Sequence, residues 1–177
     1  MNAIFKKNAI NFGILTGVFG ILVTTILYLV DLKLFVNMWI GISLLVVYLI
    51  IGCILLSRAK KENGGHMTFK EGFSTYFLSA VIGILLSTTF SIILFNFIDP
   101  AAAERLTEHL LDMQVGMMEK FGAKQSDINE AIAKMKESGS QFSLEGQLMG
   151  ILKSMLGSII FGLILAAIYK SKSPSHE

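Results

Sequence analysis

His109, Met113 and Met117 stand at i, i+4 and i+8, so a helix through them carries one imidazole and two thioethers on one face. Soft donors of that kind suit Cu(I). Methionine also fills irregular gaps between packed helices, and no second Met/His cluster completes a coordination shell. No metal site is therefore assigned. His66 has no second donor beside it and reads as an exposed loop histidine. The signatures HExxH, GxSxG, CxxC and the P-loop are all missing. Inside the apolar runs there is neither the pair of acids nor the Ser/His pair that an intramembrane protease needs. The sequence assigns no catalytic residue and no cofactor, and it points away from an enzyme. The one cysteine, Cys53, rules out an internal disulfide and reads as a small hydrophobe in an apolar run.

Small residues form the clearer pattern. Thr75, Ser79, Gly83, Ser87 and Ser91 recur every fourth residue, as do Gly150, Ser154, Ser158, Gly162 and Ala166. Gly13 and Gly17 make a GxxxG, with Thr16, Gly20 and Thr24 as a second row. Lipid supplies no hydrophobic drive between helices, so close backbone approach through small side chains has to supply it. The plain reading is packing within one bundle. The sharper one makes a stripe a homo-oligomer face, or the wall of a narrow polar path with Thr88, Thr89 and Asn96.

These stripes need long helices to carry them. The 177-residue chain is 53% hydrophobic and only 16% charged, against roughly a quarter charged in a soluble domain. Its mean hydropathy is +0.65. Four apolar blocks, Ile10–Val30, Phe35–Leu56, Phe73–Ile98 and Leu148–Tyr169, reach the roughly 20 residues that a bilayer-spanning helix requires. Little chain is left over, so residues 1–177 read as one membrane domain: all-α, a bundle of four transmembrane helices. Lys6 and Lys7 resemble the start of a secretory signal, but the apolar stretch after them is too long and lacks a small-residue cleavage site, so it is read as a retained helix. None of the blocks carries a charge at its centre. Lys153 reads as lying about one turn inside the last span and snorkelling to the interface. Bulky residues dominate the second block, which is expected to be the most lipid-exposed. Tyr28, Trp39 and Tyr169 read as interfacial anchors.

Basic residues near the span ends set orientation. Lys6, Lys7, Arg58, Lys60, Lys61, Lys70, Lys170 and Lys172 fall on one side. Lys33 and the insert of residues 99–147 fall on the other, and acids outnumber bases in that insert. Both termini are thus expected in the cytoplasm of a bacterial cell, with the protein in the inner membrane. A formal net charge of +2 and no basic run exclude a nucleic-acid partner.

Punctuation marks the helix ends. Glu62-Asn63-Gly64-Gly65 is a turn signal, and Thr68 with Glu71 fits a capping box at the third span. Met67 and Phe69 are expected at headgroup level. Asp99 and Pro100 make an N-cap and first-turn proline that end or re-aim that span. From there Leu106, Leu110, Met113, Met117 and Phe121 form an amphipathic stripe. Gly122 offers a C-cap. Ser126 is placed to cap a second helix, Gly139 to break it, and Ser143 to cap a helix continuing into span four. The insert therefore reads as an extracytoplasmic helical hairpin.

Three stretches, GGHMTFKEGF (64–73), FNFIDPAAAERL (95–106) and FGLILAAIYKSK (161–172), occur in this order with an acidic helical insert between the last two. Together they resemble a bacterial domain-of-unknown-function family of small four-span membrane proteins, common in the Bacteroidetes. The resemblance covers nearly the whole chain. It implies the four-span architecture and the inner membrane, and it implies no activity and no site residue. Two functional expectations remain. The first is a non-enzymatic protein that associates with itself or with a membrane partner through its hairpin. The alternative is a small oligomeric transporter or channel using Ser87, Thr88, Ser91 and Asn96 on span three.

Overall fold

Apolar runs this long fold as continuous helices, because a backbone in lipid must satisfy its own hydrogen bonds. The computed structural model describes residues 2–137 and 139–171, and among these there is no strand. Its helices are α1 (Ala3–Val30), α2 (Met38–Glu62), α3 (Phe69–Ile93), α4 (Pro100–Lys120), α5 (Gln125–Glu137) and α6 (Leu144–Tyr169). A 3-10 turn, Leu32–Val36, joins α1 to α2, and a π-helical turn, Leu94–Ile98, extends α3. Four of the helical runs, Ala3–Val30, Met38–Glu62, Phe69–Ile98 and Leu144–Tyr169, are long and apolar enough to cross a membrane.

The helices run past the apolar blocks at several ends. Lys6 and Lys7 lie inside α1, Arg58 to Glu62 inside α2, and Leu144 to Gln147 inside α6. Lys, Arg, Glu and Gln are good helix formers, so the polar flanks continue the helix that the apolar run starts. Phe35 belongs to the 3-10 turn rather than to span two. Lys172 lies outside the described residues.

Caps explain most boundaries. Thr68 accepts the Glu71 amide while Glu71 accepts that of Thr68, the complete capping box. The Ala102 amide donates to Asp99 Oδ1 at 3.0 Å, and Pro100 takes the first helical position of α4. Gly122, at φ +74°, closes α4: its amide reaches the Glu119 carbonyl, and that of Ala123 reaches Met118, both at 3.0 Å. That is a Schellman motif. Ser143 caps α6 through the Gly146 amide. Ser126 does not cap α5. The Lys124 carbonyl accepts the amides of Asp127 and Ile128 at 2.9 and 3.1 Å, and Ser126 lies inside the first turn. The new helix thus begins two residues earlier than a Ser126 cap would place it.

Packing is centred on α3. It lies against α1 along most of its length and against α6 on its other side, while α2 engages the group mainly through Gly52, Leu55, Leu56 and Ala59. Buried apolar residues gather at the two ends. Phe5, Leu55, Leu56, Ala59, Met67 and Leu165 close the end that bears the chain termini. Leu94, Phe95, Ala102 and Leu106, with Tyr28, Leu32, Phe35, Phe90 and Phe142 around them, close the insert end. Met67 is only 1% exposed. Its amide donates to Ser171 Oγ and its carbonyl accepts from Ser171, which holds the chain over the bundle end. Phe69 and His66 are exposed. Tyr28 turns inward, and its hydroxyl donates to Asp99 Oδ2 at 2.9 Å, tying α1 to the start of α4.

Candidate functional site

The small-residue stripes of α1 and α3 face each other. A Cβ on Gly13 would stand 2.7 Å from Ile82 Cβ and 2.9 Å from the Ser79 carbonyl oxygen. One on Gly17 would meet Leu86 Cβ at 2.7 Å, and one on Gly20 would meet Ser87 Cβ at 2.8 Å. Gly83 fits against Thr16. On the other side of α3, Gly72 lies against Ala166, and Gly162 against Tyr76 and Phe73. Ser79 and Ser158 are buried among these contacts, and Ser158 Oγ donates to the Met155 carbonyl. This close approach locks α1, α3 and α6 into one layer.

The stripes part towards α2. There a Cβ on Gly150 or Gly157 would meet nothing within 4 Å. Two adjoining cavities fill the gap. The one nearer the chain termini has a volume of about 420 Å³ and is lined by Thr16, Tyr48, Tyr76, Ser79, Ser87, Thr88, Ser154 and Ser158 together with apolar groups. The one nearer the insert, about 410 Å³, reaches Ser91, Gln147, Gly150 and Lys153. Tyr48, Ser87, Thr88 and Ser154 line both, so the two meet at a belt of hydroxyls. Each is in the size range of small-molecule sites. Helical serines turn their hydroxyls back onto carbonyls of the preceding turn, as Ser87 does onto Gly83 at 2.9 Å, and so sit in an apolar span at little cost.

Lys153 is exposed on α6 and lines the cavity nearer the insert. The Gly72–Ala166 contact and the hydrogen bond from Asn96 Nδ2 to the Phe142 carbonyl, 3.2 Å, fix α3 and α6 antiparallel. That register brings Lys153 level with Leu85, midway along the Phe69–Ile98 run. Lys153 is about 14 Å of helix rise from Leu144 and about 24 Å from Tyr169. α6 begins at Leu144 rather than Leu148, so its polar first turn precedes the apolar run that holds Lys153. Among the described residues Lys153 makes no hydrogen bond or ion pair, and no acidic residue lines either cavity.

Gln147 is the other polar group at this place. It is 7% exposed, and its Nε2 donates to the Phe142 carbonyl at 2.7 Å. Its Oε1 is buried without a partner among the described residues. Sequence reasoning missed Gln147, Tyr48 and Tyr76. Gln147 borders Leu148 and reads as the end of the insert, and the two tyrosines sit in apolar runs as aromatic bulk. A polar atom within an apolar run was the available signal. Of the polar face expected on span three, Ser87, Thr88 and Ser91 line the cleft. Asn96 does not: its amide is spent on the Ile92 and Phe142 carbonyls.

In the insert, His109 and Met113 are half-buried on α4 and Met117 is exposed. Among the described residues no three His, Cys, Asp or Glu side chains come together. Arg105 approaches Asp99 Oδ2 at 3.4 Å.

Four membrane-crossing helices, a helical insert between the third and fourth, and a hydroxyl-lined cleft define the class: a small multi-pass membrane protein. A family model described as "Protein of unknown function (DUF4199)" matches residues 11–171. The chain belongs to that family. No curated protein and no solved structure matches it.

Proposed function

We propose that the protein is a non-enzymatic protein of the bacterial inner membrane that binds a small polar or amphiphilic molecule in the cleft between α2 and the α1–α3–α6 layer. The observation that carries this is the pair of adjoining cavities, about 420 and 410 Å³, joined at a belt of hydroxyls. Passage of that molecule along the cleft is the simplest use of such a path, and it falls on the face of span three where Ser87, Thr88 and Ser91 stand. The only ionisable groups lining the cleft, among the described residues, are Lys153, Tyr48 and Tyr76, which is a poor set for acid–base catalysis. The excess of Lys and Arg around the termini supports cytoplasmic ends and an outward-facing insert.

Gly150→Leu with Gly157→Leu tests the reading, because leucine enters space already open. Native mass spectrometry of the protein in mild detergent should find one small molecule bound per chain, absent from the double variant. Wild type without any adduct, or an adduct that survives the filling, refutes it.

One observation favours a second reading, association through the insert: Phe121, at the hairpin turn, is 86% exposed. Replacing residues 99–147 by a short linker should then change the native mass of the complex, and a second polypeptide at fixed stoichiometry would identify the partner. The stripes on α1 and α3 are less available for self-association, since they face each other within one chain.

A further inference from the structure

We infer that Lys153 and Gln147 form a head-group site in this cleft, for a single-chain amphiphile whose head is an oxyanion, carboxylate or phosphate, that also presents a hydrogen-bond donor. The inference rests on the cleft being a binding site. Three observations converge on it. Lys153 is exposed on α6 and lines the cavity nearer the insert, with no acidic residue lining either cavity. An anionic occupant would supply the counter-charge that no lining side chain offers. Gln147 lines the same cavity, is more than nine-tenths buried, and has an acceptor oxygen with no donor. The oxygen is itself closed off from the cavity, so a donor on an occupant reaches it by turning the amide toward the space. Side chains on a helix lean toward its N-terminus, which for α6 is the insert end, so the Lys153 stem leans toward Gln147.

The remainder of the cleft says what the head is attached to. Beyond Ser154 the cavity nearer the chain termini continues between Leu45, Ile51, Leu55, Ile84 and Phe161. It runs alongside α3 from Thr88 to Tyr76, about 18 Å of helix rise, towards the buried cluster at the terminal end. An extension walled mainly by apolar groups, with Ser79 and Ser158 along it, accommodates an alkyl chain. A free inorganic anion would use the head site and leave the extension unused.

The test uses the full-length protein in lipid nanodiscs with radiolabelled palmitate, hexadecyl phosphate and hexadecanol, and with inorganic phosphate as competitor. Hexadecyl phosphate, an oxyanion whose monoanion also carries a P–OH donor, should bind saturably at one per chain, and palmitate, an oxyanion without a donor, more weakly. Hexadecanol should bind at least tenfold more weakly. Lys153→Met should cost the anionic probes at least tenfold and leave hexadecanol unchanged, with Lys153→Arg retaining the preference. Gln147→Leu should weaken hexadecyl phosphate, whose monoanion carries a P–OH for Gln147 Oε1 to accept from, and leave palmitate, which has no donor, unchanged. Gly157→Leu should abolish binding of all three chains. If Lys153→Met leaves palmitate and hexadecyl phosphate unaffected while Gly157→Leu abolishes them, the head-group assignment is overturned and the cleft reading stands. If no chain binds, or Gly157→Leu changes nothing, both are overturned. Inorganic phosphate competing as well as hexadecyl phosphate overturns the amphiphile in favour of a free anion.

Discussion

Gly13→Ala probes the contact on which the bundle is built. The added methyl would lie 2.7 Å from Ile82 Cβ and 2.9 Å from the Ser79 carbonyl oxygen. Carbon atoms prefer separations of about 3.5–4.0 Å, so α1 and α3 must separate by close to 1 Å or distort. A flexible side-chain tip could yield, but a Cβ and a backbone oxygen cannot. The cost belongs at the upper end of the roughly 1–3 kcal/mol typical of overpacking. Against it stands about 1 kcal/mol gained from alanine's better helix propensity. The net loss is about 2 kcal/mol, or a fall in Tm of about 4–8 °C at 2–4 °C per kcal/mol for a chain this size. Gly157→Ala is the matched control. Its methyl meets nothing within 4 Å, so only the propensity gain applies, and Tm should hold or rise by about 2–4 °C. Thermal unfolding followed by fluorescence-detected size exclusion in one detergent measures both. Equal Tm values for Gly13→Ala and wild type would refute the α1–α3 approach and the reasoning from it.

Asp99→Ala removes the cap on Ala102 and the acceptor of Tyr28, and should cost about 1–3 kcal/mol. Hydrogen exchange should rise in the first turns of α4 while the middle of α3 stays protected. Phe95→Ala, in the closed insert end where Phe95 is 1% exposed, should cost about 3–5 kcal/mol and release α4 from the bundle, visible as faster proteolysis of the insert. Thr68→Ala should destabilise the start of α3 by about 0.5–2 kcal/mol, with Thr68→Ser retaining most of it, as read from detergent Tm values. In a Cys53→Ser background, His66→Cys should react with an impermeant maleimide only after the cells are opened, and Phe121→Cys in intact cells. Both positions are exposed, so the reverse pattern would invert the proposed orientation.

Much of this protein follows from local rules. Four apolar runs dictate four spanning helices, because nothing else satisfies a backbone in lipid. Thr68, Glu71, Asp99, Pro100, Gly122 and Ser143 mark helix ends because capping needs only neighbours in the chain. The small-residue stripes announce close packing, since their period is that of a helix face. What local rules cannot supply is register. Whether Gly13 meets Ile82, and whether Lys153 comes level with Leu85, depends on how two helices slide against each other, and the flanks that lengthen α6 to Leu144 shift that reading by a turn. Nor could the sequence place Gln147, Tyr48 and Ser154 around one space. The cavities exist because α2 packs closely only near one end, while glycines hold α1, α3 and α6 together. That division between filled and open volume is a property of the assembled helices, and only the tertiary structure decides it.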